Sequence, residues 1–392
     1  MIDFARSSYG QEERDAVNRV LDSDWLASGN ENEQFEKEFA DYVGTKYAVC
    51  VNSGSSANLL AIASLGLPKF ARVLSSACGF PATLSPILHL GYNPVLVDYD
   101  LQTHNIDLEQ VLRELPNVDA LIFAHTMGSP VQVDVVMQEA KRLGVKVIED
   151  CCEAVGSTLN GQQVGSFGDI GTYSFYPAHQ ITAGGSGGML VTNDRYIWTR
   201  AKELRDWGKT WNWDEKLGDN KTMYDMDIGL GYPYYRHYVY AQTGYNFKLA
   251  EMNAAFGREQ LKKLEHFKRV RSVNHEHLSE GLLGLKDFVD IETAHGADPC
   301  WFGFIMTLKD GSYMNRNDFG DFLEKQGIRH RPFFAGNITH HKPFGPPQAF
   351  PVADKLMKDS LFIGCHTKMF EEQCSFITTE VKRYVDSFDS EF

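Results

Sequence analysis

His179 stands in the segment Gly171-Thr-Tyr-Ser-Phe-Tyr-Pro-Ala-His-Gln-Ile-Thr182. An imidazole with its ordinary pKa near 6.5 is a competent proton shuttle at neutral pH. A histidine after a Pro-Ala pair serves equally in a structural turn. Asp150 ends the apolar run Val147-Ile-Glu-Asp-Cys-Cys-Glu153. The carboxyl ends of buried strands are where open α/β sheets gather ligands, and a buried carboxylate needs a partner. Capping of the following helix is the other reading of Asp150. A third group is Asn52-Ser-Gly-Ser-Ser-Ala-Asn58, a turn of small residues between an apolar run and a helical pattern. Free N–H groups at such a helix start suit a phosphate, although Ser and Asn there also act as plain N-caps. Ser174, five residues before His179, could add a hydroxyl to the same cup.

These residues need elements to position them. Apolar runs at Tyr47–Val51, Pro94–Asp98, Ala120–His125, Val145–Asp150, Thr172–Tyr176 and Met189–Thr192 read as strands. Several are too uniformly apolar to have one wet face, which suits parallel strands covered on both sides. Amphipathic stretches at Asp107–Leu115 and Val133–Leu143 alternate with them, giving an α/β pattern with a mostly parallel sheet. From 207 to 245 an aromatic, turn-rich loop is expected to line or lid a site. Leu249–Phe267 reads as one helix. The chain divides into a large α/β domain, 1–264, and a smaller C-terminal α+β domain, 265–392.

The chain has 392 residues, 43% of them hydrophobic, and a net charge of −14. So acidic a balance argues against a nucleic-acid partner, which demands a basic face. No run approaches the ~18 apolar residues of a membrane span, and the N-terminus lacks a basic segment followed by an apolar one. No membrane association and a cytoplasmic location are therefore expected. Seven cysteines without regular C-x-x-C spacing read as reduced thiols.

In order, the small-residue turn, Phe80-Pro81, Asp150, Ser174, the His179 segment and Gly244-Tyr-Asn-Phe-Lys248 resemble the site of the DegT/DnrJ/EryC1/StrS sugar aminotransferase family, over nearly the full chain. The resemblance implies the fold type I architecture of pyridoxal phosphate (PLP) enzymes, with a mostly parallel seven-stranded sheet, and a homodimer with shared active sites. It places Gly54, Ser55 and Ser174 on the cofactor phosphate and Asp150 on the pyridine nitrogen. Phe80 would stack on the ring, Glu153 would lie near the ring or its hydroxyl, and Asn246 would reach the phosphate from the second subunit. Most of the family carries lysine where His179 stands, and that lysine bonds covalently to the cofactor. Imidazole cannot, so PLP is expected to bind noncovalently.

Ser-Phe-Tyr-Pro-Ala-His179 and Phe334-Ala-Gly-Asn-Ile-Thr339 are similar to a smaller branch, the nucleotide-sugar 3-dehydratases. These remove the C3 hydroxyl of a 4-keto-6-deoxy sugar, with L-glutamate as amino donor and the pyridoxamine form in turnover. One type holds an iron–sulfur cluster on cysteines of the loop corresponding to Arg205–Asn246. That loop is free of cysteine here, so no iron–sulfur cluster and no metal are expected. What remains is the type acting on GDP-4-keto-6-deoxy-D-mannose, with His179 as the catalytic base. Lys248, Arg329, Arg331 and His340-His341-Lys342 are candidates for the substrate diphosphate, Lys248 and Arg331 foremost. Two departures flank the catalytic turn: Ala183-Gly-Gly-Ser-Gly-Gly188 is one residue longer than usual and lacks a glutamate, and Gln180 replaces a histidine or asparagine. A nucleotide-sugar aminotransferase and a catalytically silent PLP-binding protein stay open as alternatives.

Overall fold

The computed structural model describes residues 1–210, 224–282 and 284–389. Its central sheet has seven strands: β1 (Tyr47–Val51), β2 (Arg72–Ser76), β3 (Asn93–Val97), β4 (Ala120–Ala124), β5 (Lys146–Asp150), β8 (Ile170–Ser174) and β9 (Gly188–Thr192), with a small hairpin, β6 (Thr158–Leu159) and β7 (Gln162–Gln163), between β5 and β8. The order is β1-β9-β8-β5-β4-β2-β3. Strands β3, β2, β4, β5 and β8 run parallel, and β9 is antiparallel to both β8 and β1. In register, Ala124 faces Asp150, Asp150 faces Thr172, and Gly188 lies between Ser174 and Val51. The carboxyl ends of four strands thus meet the start of β9 along one edge, where the chemistry-bearing residues lie.

Both faces of the sheet are buried, and side chains alternate between them as the two-residue period requires. Ile122, Ile148 and Ile170 pack with Leu60, Leu84 and Ile197 of α3 (Gly54–Ser64), α4 (Pro81–His89) and α7 (Arg195–Arg205). Leu121, Phe123 and Val147 face the other way, onto α5 (Leu108–Glu114) and α6 (Val133–Leu143). Near β8 and β9 that second face is covered by α2 (Asn30–Val43), which follows α1 (Gln11–Asp22), and by α8 (Glu251–Leu261).

The aromatic segment carries a short hairpin, β10 (Tyr224–Met226) and β11 (Tyr234–Tyr235); residues 211–223 of the expected 207–245 loop lie outside the described residues. The long α9 (Leu264–Leu282) follows α8, β12 (Ala297–Asp298) extends the β6–β7 hairpin, and β13 (Gly303–Thr307), β14 (His330–Pro332) and β15 (Ser360–Gly364) form an antiparallel sheet in the order β13-β15-β14. Helices α10 (Arg316–Lys325), α11 (Pro351–Asp359) and α12 (Glu371–Asp389) accompany it. Phe304, Phe319, Leu361, Ile363, Ile377 and Val381 make a second core, joined by Ile2 from the other end of the chain. The division expected at 264/265 falls at the start of α9, which serves both cores: Leu264 and Phe267 pack in the large one and Leu278 in the small one. None of the described helices is long and apolar enough to cross a membrane.

Three expectations need correction. Arg72-Val-Leu-Ser-Ser76 is a full member of the sheet, although its serines hide it among polar residues. The strand read as Thr172–Tyr176 is Ile170–Ser174; Gly171, which looks like a turn residue, is required because a Cβ there would sit 2.3 Å from the Gly165 carbonyl oxygen. The single helix Leu249–Phe267 is two, broken at Lys262–Lys263 so that Lys263 reaches Glu13 (2.7 Å) while Leu264 enters the core. No glycine or proline marks that break.

Candidate active site

A cavity of about 590 Å³ opens at the carboxyl edge of the sheet, lined among others by Gly54, Ser55, Phe80, Asp150, Glu153, Ser174, His179 and Arg331. Eight of the ten expected site residues therefore share one space. Ser53 caps α3, its Oγ accepting from Ser56 N–H (3.1 Å), so the plain capping role is present. It coexists with an open cradle, because Gly54 and Ser55 precede the first intrahelical bond, Ala57 N–H to Ser53 O. Glycine is obligatory at 54: a Cβ would lie 2.6 Å from Ser174 Cβ and 2.7 Å from Cys152 Sγ.

Asp150 is 4% exposed and tightly held. Its Oδ2 accepts from Asn58 Nδ2 and Thr83 Oγ1, both at 2.7 Å, and its Oδ1 from Cys152 N–H at 3.1 Å. Thr172 Oγ1 donates to Asn58 Oδ1 (2.5 Å), fixing which way the Asn58 amide points. Glu153 accepts from Met127 N–H (2.9 Å). Burial, with the Asp150 carboxylate adding to it against that hydrogen bond, pushes the Glu153 carboxyl up to about 8.

His179 sits on a tight turn after β8, its N–H donating to Tyr176 O (2.9 Å). From α9, Arg271 Nη2 donates to the His179 carbonyl (3.2 Å) and Nη1 to the Trp301 carbonyl (2.9 Å). Gln180, the residue in place of the expected histidine or asparagine, donates to the carbonyls of Glu153 and Cys300. Four hydrogen bonds to carbonyls thus hold the turn and Arg271 together, while the imidazole Nδ1, buried, has no hydrogen-bond partner among the described residues. Burial and the nearby Arg271 charge depress the ring to about 3, so it stands neutral at pH 7 and is a weaker proton acceptor than a free imidazole.

The remaining wall is aromatic. His179 contacts Phe302 (5.3 Å), which leads through Phe4 and Phe362 to Phe334 and Phe80. Phe80 is 56% exposed at the rim, open to a planar ring. The altered turn is also part of the wall: Ser186 lines the cavity, donates to the Asn52 carbonyl, and has Asn253 on the Ala183 carbonyl behind it.

Not every candidate is gathered. Asn246 is exposed and lies outside this cavity, as does Lys248, which pairs with Asp206 (3.2 Å) and stacks on Trp207 (3.9 Å). Arg329 pairs with Glu324 (2.8 Å), His340 with Asp354 (2.9 Å), and His341 lies on the Ala335 carbonyl. Of the proposed diphosphate cations only Arg331 lines the cavity. Sequence reasoning passed over Asn58, Thr83, Arg271 and Phe4. Asn58 lies inside the quoted turn and follows Asp150's need for donors; the others carry no local signal.

The model of the DegT/DnrJ/EryC1/StrS aminotransferase family matches residues 7–382. The chain belongs to that family. Among members of the DegT/DnrJ/EryC1/StrS family, the GDP-4-keto-6-deoxy-D-mannose 3-dehydratase of Yersinia pseudotuberculosis is 33% identical over 398 residues, covering 98% of this chain and 99% of that protein. The dTDP-4-dehydro-2,6-dideoxy-D-glucose 3-dehydratase of Saccharopolyspora spinosa is 35% identical over 379 residues, covering 92% and 81%. A solved GDP-4-keto-6-deoxymannose-3-dehydratase superimposes with TM-scores of 0.89, with bound GDP-perosamine, and 0.88, with a trapped PLP-glutamate geminal diamine; it is 29% identical over 97% of this chain and all of that one. The expected fold class is met, α/β with the mainly parallel sheet of the family's PLP-dependent sugar aminotransferases.

The residues fit the expected cofactor. A phosphate matches the open N–H groups at α3 beside Ser55 and Ser174, a protonated ring nitrogen matches the oriented Asp150, and an aromatic plane matches Phe80. The orphaned His179 Nδ1 is the atom of the set that still lacks a partner. A second carboxylate–imidazole group, His125, Glu149 and Cys151, has ligand atoms within 4.8 Å of one another. It is already satisfied: His125 Nδ1 accepts from Val131 N–H, leaving Nε2–H for Glu149, which also accepts from Gly165, Phe167 and Gly168. That set is a structural tie rather than a metal centre.

Proposed function

We propose that the protein is a PLP-dependent nucleotide-sugar 3-dehydratase, acting on a 4-keto-6-deoxy sugar of which GDP-4-keto-6-deoxy-D-mannose is the best candidate. The observation that carries this reading is His179, a neutral imidazole whose Nδ1 is unpartnered, in a cavity lined by no lysine among the described residues. The coarser statement, a sugar-modifying enzyme using PLP and a nucleotide sugar, draws support from the family and from what its solved relative binds. The dTDP-linked relative keeps the choice of nucleotide part of the proposal.

When bound, the cofactor would supply a pyridine ring that delocalises the electron pair freed at its C4′ carbon, the pair that expels the C3 hydroxyl from the sugar. Asp150 would keep the ring nitrogen protonated, which is what makes that delocalisation effective. Gly54, Ser55 and Ser174 would hold the phosphate, and Phe80 would cover the ring; with no lysine bond, noncovalent contacts of this kind retain the cofactor. His179 takes the proton from the cofactor C4′ carbon and delivers one to the departing C3 oxygen. Glu153 would share a proton with the ring hydroxyl. Arg331 faces the substrate anion. Asn246 and Lys248 belong to this scheme through a second subunit, in a cytoplasmic homodimer with shared sites.

The atoms balance as L-glutamate plus the hydroxy-ketosugar giving 2-oxoglutarate, ammonia and the 3-deoxy ketosugar. Glutamate supplies the two electrons, and the ammonia carries its nitrogen. His179→Lys is the discriminating variant: it should bond PLP covalently, seen as a cofactor that resists dialysis and is fixed by borohydride, and lose most dehydration. An undiminished rate of deoxysugar formation would sink the role of His179.

A further inference from the structure

Residues 1–8 run along the small domain. Ile2 N–H donates to Gly327 O (2.7 Å), and its carbonyl accepts from Arg329 N–H (3.0 Å). His366 Nε2 lies 3.0 Å from the Asp3 carbonyl oxygen. Gly364 has no room for a side chain, since a Cβ would lie 2.3 Å from the Phe4 carbonyl oxygen. With its backbone fixed, Phe4 presents its ring edge-to-face against Phe302 (6.0 Å) and Phe362 (5.1 Å), in the wall of the active cavity.

Arg331 stands over that ring, its guanidinium carbon 5.2 Å from the centroid. Its Nη1 donates to the His330 carbonyl (2.7 Å), and among the described residues it has no carboxylate partner. Among the described residues, the other charged side chains of the lining, Asp150 and Glu153, are acidic. An exposed arginine on a strand ordinarily samples many rotamers, and ordering it costs binding energy when a ligand arrives. An aromatic face that attracts the cation orders it beforehand.

We infer that Phe4 is a positioning residue: its ring pre-orients Arg331 as the clamp for an oxyanion of the substrate, either the amino donor's carboxylate or the sugar nucleotide's diphosphate. The inference rests on the proposed function only for which anions are offered. It gives residues 1–8, remote in sequence from every motif of the site, a part in substrate affinity.

Two arms on the PLP-loaded protein test it, neither needing sugar turnover, so a failure of dehydration would leave the test intact. One is GDP binding by calorimetry; the other is the glutamate half-reaction, followed by cofactor absorbance. Phe4→Leu should weaken one arm by about threefold to thirtyfold, leaving the cofactor spectrum and the maximal half-reaction rate unchanged, and Phe4→Tyr should restore it. Phe4→Met repeats the comparison if the leucine variant does not fold. In an Arg331→Met background Phe4→Leu should have no further effect. A rise in the GDP constant assigns the diphosphate, and a rise in half-saturating glutamate assigns the carboxylate. Unchanged constants on both arms, or effects that add to those of Arg331→Met, would overturn the inference.

Discussion

Two histidine–glutamate sets lie at the same edge of one sheet, and they differ in what is left unsatisfied. His125 follows β4 and Glu149 lies in β5; both are fully buried, and every ligand atom has a hydrogen-bond partner. His179 follows β8 and Glu153 follows β5; the imidazole Nδ1 is orphaned, and the carboxyl is pushed up to about 8. Buried polar groups are normally paired, so an orphan marks either strain or a place where a ligand completes the bond. The first set holds the molecule together; the second lines the cavity and keeps one buried imidazole nitrogen unpaired among the described residues.

The largest expected effect separates the two directly. His179→Asn should lower dehydration by about 10²–10⁴-fold with little change in melting temperature, because no protein hydrogen bond to Nδ1 is lost. His125→Leu should do the reverse, destabilising by about 1–3 kcal/mol, since the buried Val131 N–H would lose its acceptor and Glu149 one of its donors. Paired calorimetry and rate measurements check both; a His125→Leu protein with native stability would erase the distinction.

A smaller effect is expected at Asp150, which shares features of both sets: held by Asn58 and Thr83, yet open to the cavity. Asp150→Asn should cost about 1.5–3 kcal/mol of cofactor affinity, roughly tenfold to a hundredfold in a PLP titration. Thr83→Val should cost less, since Asn58 still holds the same oxygen.

The remaining effect is in pH dependence. Burial pushes the folded Glu153 carboxyl from its ordinary 4.5 up to about 8, so between those values the folded chain binds more protons than the unfolded one. Stability contributed by this group is full below pH 4.5 and declines as pH rises toward 8. Glu153→Gln should flatten that decline in the cofactor-free protein, measured as melting temperature from pH 5 to 8.5. His179, depressed to about 3, contributes with the opposite sign: its neutral form carries no penalty above pH 6.5, and stability falls as pH drops below that. A Glu153→Gln protein with an unchanged slope would remove the contrast between the two glutamates.

How much of this was legible in the sequence follows from how local each determinant is. Asp150 and the Gly54 turn were readable because strand end, turn and helix start are contiguous. His179 was readable because it stands where a different chemistry is usual. Arg271 and Phe4 were not, since they act on His179 and Arg331 across 92 and more than 300 residues, through a carbonyl and a ring that no spacing rule connects. The polar strand Arg72–Ser76 and the break before Leu264 were hidden for a related reason: tertiary packing overrode a local pattern. Lys248 and the His340-His341-Lys342 cluster had the right charge but are paired or face elsewhere in this chain.

The central claim is that the open histidine removes a hydroxyl rather than returning an amine. Incubating purified protein with PLP, L-glutamate and GDP-4-keto-6-deoxymannose, then following ammonia together with product mass, tests it most directly. The account predicts ammonia in step with a sugar nucleotide lighter by one oxygen; a GDP-aminosugar formed without ammonia would contradict it.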